Sequence, residues 1–291
     1  MKYIVLLTIV VFCITCAGQE NVTEKKIGIV SVKRVDKEKG VVKDYQQTVW
    51  ESILNKNPLR SLNYQMVLIG DNQLTSSEEL KQYHLIIIPG SRSTLPVSAL
   101  DVLKAYIKSG GWLIYEAVGP FCLDIDGDGI LSPGDSTKES REIVSKFWQD
   151  VAGVSIASKP VFNLISKIRA NTAIPSLTAN LPLEFTELDI AVKMPHPYYN
   201  CTYYQLFTAK PLVEAVVINI PTKDFPKNLQ GEEKKLDGPF PVVAINQYGK
   251  GVCISLGINS RAIFSPPASF YTTLLHNIFS HALHRAPLEY Q

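Results

Sequence analysis

Cysteine is scarce in this chain: there are five among 291 residues, and two of them, Cys13 and Cys16, fall in the leading apolar segment. The remaining three, Cys122, Cys201 and Cys253, cannot supply the dense cross-linking of a disulfide-stapled scaffold. Cys122 and Cys201 could form one bridge in an oxidising compartment, whereas Cys253 lies in an apolar, strand-like run and reads as a buried hydrophobe. An excess of charge is also missing. Lysine and arginine number 29 against 27 aspartate and glutamate, with no basic stripe, and that balance argues against nucleic acid as a partner. No internal repeat is present. The apolar run from Tyr3 to Cys13 is too short to span a bilayer comfortably.

That short run has a different meaning. Met1-Lys2 supplies a small positive region before it, and Thr15-Cys16-Ala17-Gly18 supplies small residues after it. Residues 1–18 therefore read as an export signal, cleaved after Ala17 or Gly18. A lipid-anchored variant fits poorly, because Cys13 occupies the position three before Cys16 where an aliphatic residue is needed. Retention of the segment as an uncleaved anchor is the other alternative. The expectation is a secreted or periplasmic protein of about 273 residues with no membrane span after cleavage. Only Lys2 is lost among the charges, so the balance stays near neutral.

Through the first half, apolar runs alternate with segments of helical period. Strands are expected over Ile27–Val32, Gln65–Ile69, His84–Pro89 and Trp112–Glu116. Helices are expected over Tyr45–Leu54, Ser76–Tyr83 and Val97–Ser109. Continuous β-branched strands separated by single helices indicate parallel pairing with both faces covered. The fold class is therefore α/β: a doubly wound, mostly parallel sheet with helices on both faces. A further helix is expected over Lys138–Val151. Residues 155–210 read as a β-rich, irregular insertion, and short β-rich pieces are expected at Glu184–Met194 and Leu212–Ile218. Pro241–Gln247 and Val252–Leu256 read as strands flanking a hairpin turn at Tyr248-Gly-Lys-Gly251. A last helix, Ala268–Leu283, sets Phe270, Leu274, Ile278 and Ala282 along one face. Residues 25–290 are read as one domain.

Between the fourth strand and the helix from Lys138 lies Asp124-Ile-Asp-Gly-Asp-Gly-Ile-Leu-Ser-Pro-Gly-Asp135. Its spacing matches an EF-hand-like calcium loop over residues 124–135. Asp124, Asp126, Asp128 and Asp135 stand at loop positions 1, 3, 5 and 12. Gly129 permits the sharp turn, Ile130 offers its carbonyl at position 7, and Ser132 stands at position 9. Four carboxylates in twelve residues repel one another without a cation, so calcium is the expected cofactor. A solvated acidic turn is the alternative.

Three segments carry a resemblance: LIIIPGSRSTLP (85–96), the helix into SGGWLIYEAVGPF (109–121), and PVVAINQYGKGVCISLGI (241–258). In this order they resemble the class I glutamine amidotransferase-like superfamily. The likeness includes its non-catalytic branches, similar to the biotin–protein-ligase N-terminal domain and the β-galactosidase trimerisation domain. The resemblance implies a flavodoxin-like sheet with a nucleophile elbow after the fourth strand. The catalytic families place a cysteine at that elbow, where nearby backbone donors lower its pKa. Here Ala117 stands at the matching position, and a methyl group cannot attack a carbonyl. Cys122, five residues later and beyond the turn, reads as structural or disulfide-bonded, with a displaced nucleophile as the alternative. The stretch Gly257–Arg261 also lacks the histidine that the catalytic families carry there. His196-Pro197 superficially resembles that motif, but Tyr198 replaces the acid.

Ligands of open α/β sheets bind beyond the carboxyl ends of the strands. Those ends carry Ser91, Arg92, Glu116, Asn259 and Arg261. The two arginines suit an anionic group, and the aromatic run from His196 to Tyr204 suits a sugar or a protein surface. A structural ion pair of Glu116 with an arginine is the alternative. Three functions compete. One is an exported, calcium-binding, non-catalytic domain that recognises a small anionic or carbohydrate ligand or a protein partner. The second is a hydrolase with an altered site using Glu116 as general base. The third is an assembly module resembling dockerins, which usually carry two such loops where this chain has one.

Overall fold

The computed structural model describes residues 24–31, 33–36, 40–43, 45–90, 94–116, 122–124, 137–156, 164–182, 184–186, 204–218, 239–257 and 268–289. A nine-stranded sheet organises them. Its strands are β1 (Lys26–Val30), β4 (Gln65–Ile69), β5 (Leu85–Ile88), β7 (Trp112–Glu116), β10 (Leu164–Ala170), β11 (Glu184–Thr186), β13 (Lys210–Ile218), β14 (Pro239–Tyr248) and β15 (Gly251–Leu256). Three two-stranded pairs stand beside it. They join β2 (Lys33–Asp36) to β3 (Gly40–Lys43), β6 (Thr94–Pro96) to β8 (Cys122–Asp124), and β9 (Val154–Ile156) to β12 (Tyr204–Leu206).

The strand order is β11-β10-β13-β14-β15-β7-β5-β1-β4. From β15 to β4 every pairing is parallel. In chain order these five strands run second, first, third, fourth, fifth across the sheet, the doubly wound, flavodoxin-like arrangement that the alternating sequence implies. Beyond β15 every pairing is antiparallel. The stretch expected to be an irregular insertion thus contributes β10 and β11 to the main sheet itself.

Alternation along the parallel strands divides the core into two layers. Ile27, Ile29, Leu85, Ile87, Trp112 and Ile114 face a layer closed by α1 (Tyr45–Leu54) and, at the end of the chain, α4 (Ala268–His284). Val30, Ile86, Ile88, Leu113 and Tyr115 face the opposite layer, closed by α2 (Ala99–Lys108) and α3 (Lys138–Ala152). Phe270, Leu274, Ile278 and Ala282 of α4 are all buried, as their spacing predicts. The closing hairpin also forms: Tyr248 pairs with Gly251, and Gly249 has φ of 64° at the first central position of the two-residue turn.

One expected element changes form. In place of a capped helix over Ser76–Tyr83 there is a 3₁₀ segment, Asp71–Thr75, followed by a single helical turn, Ser77–Leu80. Ser76 makes no side-chain capping bond. The Gln73 side chain accepts the Gly70 N–H at 2.9 Å and caps the 3₁₀ segment that precedes this turn.

Candidate functional site at the carboxyl edge of the parallel strands

In a doubly wound sheet, crossovers leave β1 in both directions, so the crevice opens beyond the carboxyl ends of β1 and its neighbour β5. Each of those ends carries polar atoms. Ser31 follows β1 and donates its N–H to the Ile69 carbonyl at 2.8 Å. Its hydroxyl donates to Gln47 Oε1 at 3.4 Å. Gln47 is almost wholly buried on α1 and passes the network on, donating from Nε2 to Glu51 Oε1 at 2.9 Å. These three residues carried no motif and were missed in the sequence. The one available signal was a polar residue, Gln47, three positions before Trp50 on the inward face of the helix.

Glu116, the last residue of β7, is the centre of the edge. Its side chain is fully buried at 0% exposure. One oxygen, Oε2, accepts two hydrogen bonds: from the Trp50 indole N–H at 2.8 Å and from the Gly90 backbone N–H at 3.0 Å. The carboxyl group therefore ties together α1, the chain leaving β5 and the end of β7. Gly90 can approach this closely only because it lacks a side chain. A Cβ there would lie 2.9 Å from Glu116 Cγ and nearer still to its carbonyl oxygen.

Behind Glu116 the strand is backed by aromatic packing. Tyr115 stacks on Trp148 of α3, with ring centroids 3.9 Å apart and planes 1° from parallel. Burial pushes the Tyr115 hydroxyl well above its ordinary pKa, with the neighbouring Cys253 adding to the rise. Cys253 lies mid-strand in β15, completely buried, and burial likewise raises its thiol pKa. It is a core residue, as expected, and a thiol held neutral in this way is a poor nucleophile.

The acidic loop is described at its margins. Asp124 is the last residue of β8, where its backbone pairs with Pro96 of β6. Leu123 donates its N–H to Ser140 Oγ at 2.9 Å, and Ser140 is buried in the first turn of α3. In turn the Ser140 N–H is accepted by the side chain of Thr137, the N-cap, at 3.1 Å. The two chain segments that flank residues 124–135 are thus held within hydrogen-bond distance of each other.

Of the residues singled out in the sequence, Glu116 is brought to the strand edge as expected. Ser91, Arg92, Ala117, Asn259 and Arg261 lie outside the described residues. So do Asp126, Asp128, Ile130, Ser132 and Asp135, while Asp124 is described in its backbone alone. Among the described residues no three His, Cys, Asp or Glu side chains gather as a metal site. Cys122 sits within β8, its backbone paired with Thr94, and Cys201 lies outside the described residues. Among the described residues, no helix is long and apolar enough to cross a membrane.

No protein-family model matches the chain, and no curated protein matches it by sequence. Solved structures do. A ThuA-like protein from Bacteroides uniformis aligns over 89% of this chain and 91% of its own, at 15% identity and a TM-score of 0.52. The chain shares the fold of this ThuA-like protein. A cytoplasmic protein from Salmonella typhimurium aligns over 89% of this chain and 98% of its own, at 13% identity and a TM-score of 0.49. A β-galactosidase from Bacillus circulans sp. alkalophilus aligns over 91% of this chain and 31% of its own, at 11% identity and a TM-score of 0.48. The architecture shared with the ThuA-like protein is the α/β fold described above. A shared fold does not carry an activity with it.

Proposed function

We propose that this protein is an exported, calcium-binding, amidotransferase-like domain that serves recognition or assembly and does not catalyse amide transfer. The observation that carries the reading is the commitment of Glu116. An elbow used for catalysis exposes a reactive group at the end of the strand. In this chain the last strand residue is a fully buried glutamate whose Oε2 already accepts hydrogen bonds from Trp50 and Gly90. The next residue is Ala117, which has no nucleophile. The described thiol, Cys253, is buried in mid-strand. The same burial weighs against Glu116 as a general base, because such a base must reach the proton that it removes.

Calcium belongs to this reading through the spacing of Asp124, Asp126, Asp128, Ile130, Ser132 and Asp135. The bond between Leu123 and Ser140 supports it, since ligands at both ends of a twelve-residue loop can reach one ion only if the loop closes. A cation there would fix the chain that leaves the elbow, and with it the mouth of the crevice. Ser91, Arg92, Asn259 and Arg261 are the residues proposed to meet a small anionic or carbohydrate ligand, or a protein partner. Export follows from residues 1–18 and fits an ion that is abundant outside the cytoplasm. A paired-loop assembly module is less favoured, because one loop is present.

The test is a turnover assay with glutamine and simple amides, run with calcium and with a chelator. The expected result is no hydrolysis above the buffer rate in either condition. Calcium-dependent glutamine hydrolysis that is lost in Cys122→Ser would overturn the non-catalytic reading.

A further inference from the structure

At the opposite, amino-terminal edge of the sheet, several basic groups meet, with Glu289 near His281. Lys25 precedes β1, His84 precedes β5, and His281, His284 and Arg285 end α4. Lys25 Nζ lies 2.9 Å from His284 Nε2, and His284 Nδ1 lies 2.7 Å from the Ser280 carbonyl. These partners fix the imidazole. A lysine ammonium can only donate and a carbonyl can only accept, so Nδ1 carries the proton and Nε2 offers a lone pair. Beside it, the Lys26 N–H is directed at His84 Nδ1 at 3.4 Å, while His84 N–H donates to the Lys26 carbonyl at 2.9 Å. Both histidines therefore serve this edge as acceptors, in their neutral forms.

We propose that this cluster is an acid-released latch, in which neutral His284 and His84 fasten the start of β1 to the end of the terminal helix and protonation unfastens it. Protonating His284 places an N–H against the Lys25 ammonium, turning a hydrogen bond into a repulsion. Protonating His84 at Nδ1 removes the acceptor of the Lys26 N–H. The surroundings favour release once protons arrive. His84 lies in the field of Arg285 and Lys25, and His281 in that of His284 and Glu289. The Lys26 ammonium is turned away, donating to Gln82 Oε1 at 3.3 Å.

The direction of the pH effect follows. Burial above all, then Arg285 and Lys25, holds His84 below its ordinary pKa, and burial and His284 do the same for His281, against Glu289. A histidine depressed in the fold binds fewer protons there than in the unfolded chain. The hydrogen bond that His84 accepts is thus fully kept above the ordinary histidine range, and its contribution is lost as pH falls below about 6.5 and through the lowered His84 value.

Amide exchange of the full chain near pH 7.5 and near pH 5, corrected for intrinsic rates, tests this. The Lys26, His84, Arg285 and Ala286 amides should lose protection at least about tenfold more than Val252 and Gly257 in the closing hairpin. His284→Gln, whose side-chain oxygen can still accept from Lys25 but does not titrate, should reduce that excess to less than about threefold. Equal loss of protection at both places in the wild type would overturn the latch, and so would an undiminished excess in a folded His284→Gln. If that variant fails to fold, the wild-type comparison decides alone.

Discussion

Trp50 and Glu116 are 66 residues apart in sequence, and the indole N–H of one meets the carboxyl oxygen of the other at 2.8 Å in a fully buried setting. This bond couples α1 to the end of β7 and, through the Gly90 N–H on the same oxygen, to the end of β5. Buried acceptors of this kind are costly to leave short of a donor. Trp50→Phe keeps most of the apolar volume and removes the donor. Denaturant unfolding should show a loss of about 1–3 kcal/mol with an unchanged slope. A change within error of zero would show that Glu116 is satisfied without Trp50.

Gly90 gives a second handle on the same place. Its Cα faces Glu116 so closely that an added methyl group would press on Glu116 backbone atoms as well as its side chain. Backbone cannot rotate away as a flexible side chain can. Gly90→Ala should destabilise by about 1–3 kcal/mol, as overpacking does elsewhere. Gly70→Ala, at a position with nothing within 4 Å of the added carbon, is the matched control and should cost far less in the same unfolding assay.

Cys253 should be chemically silent in the folded protein. It is fully buried, and burial raises its thiol pKa, so little thiolate forms at neutral pH. Peptide mapping after alkylation under native conditions should find Cys253 unmodified, with modification appearing only after denaturation. Rapid native labelling at this residue would show that β15 opens far more readily than its burial implies.

Much of the parallel half could be read from the sequence. The expected Tyr45–Leu54, Gln65–Ile69 and Trp112–Glu116 coincide with observed elements, because each is a run whose apolar period is set by residues within it. The antiparallel half was harder. β10 and β13 pair across some forty residues of sequence, and their register shifts at Ile165–Lys167, which breaks the two-residue period that marks a strand. The candidate site divides in the same way. Glu116 was visible as a charge closing an apolar run. That Trp50 would act as its donor was not visible, since the same indole fits an apolar helix face equally well. Ser31 and Gln47 join through long-range packing and left no spacing to read.

Export makes its own prediction. If residues 1–18 act as the proposed export signal, the mature terminus lies near Gly18 or Gln19. N-terminal sequencing of protein recovered from the periplasm or medium should begin there. Intact Met1 on protein confined to the cytoplasm would contradict it.

Calcium binding is the most direct test of the central claim, and titration calorimetry on the mature protein measures it. One calcium ion per chain should bind, with a dissociation constant between about micromolar and millimolar, and in preference to magnesium. Because the ion is proposed to bind the folded loop, saturating calcium should also raise the melting temperature. Asp124→Ala combined with Asp128→Ala should abolish both the heat and the thermal shift while leaving the calcium-free fold intact. No calcium binding by the wild type, or the same binding by the double variant, would contradict the account.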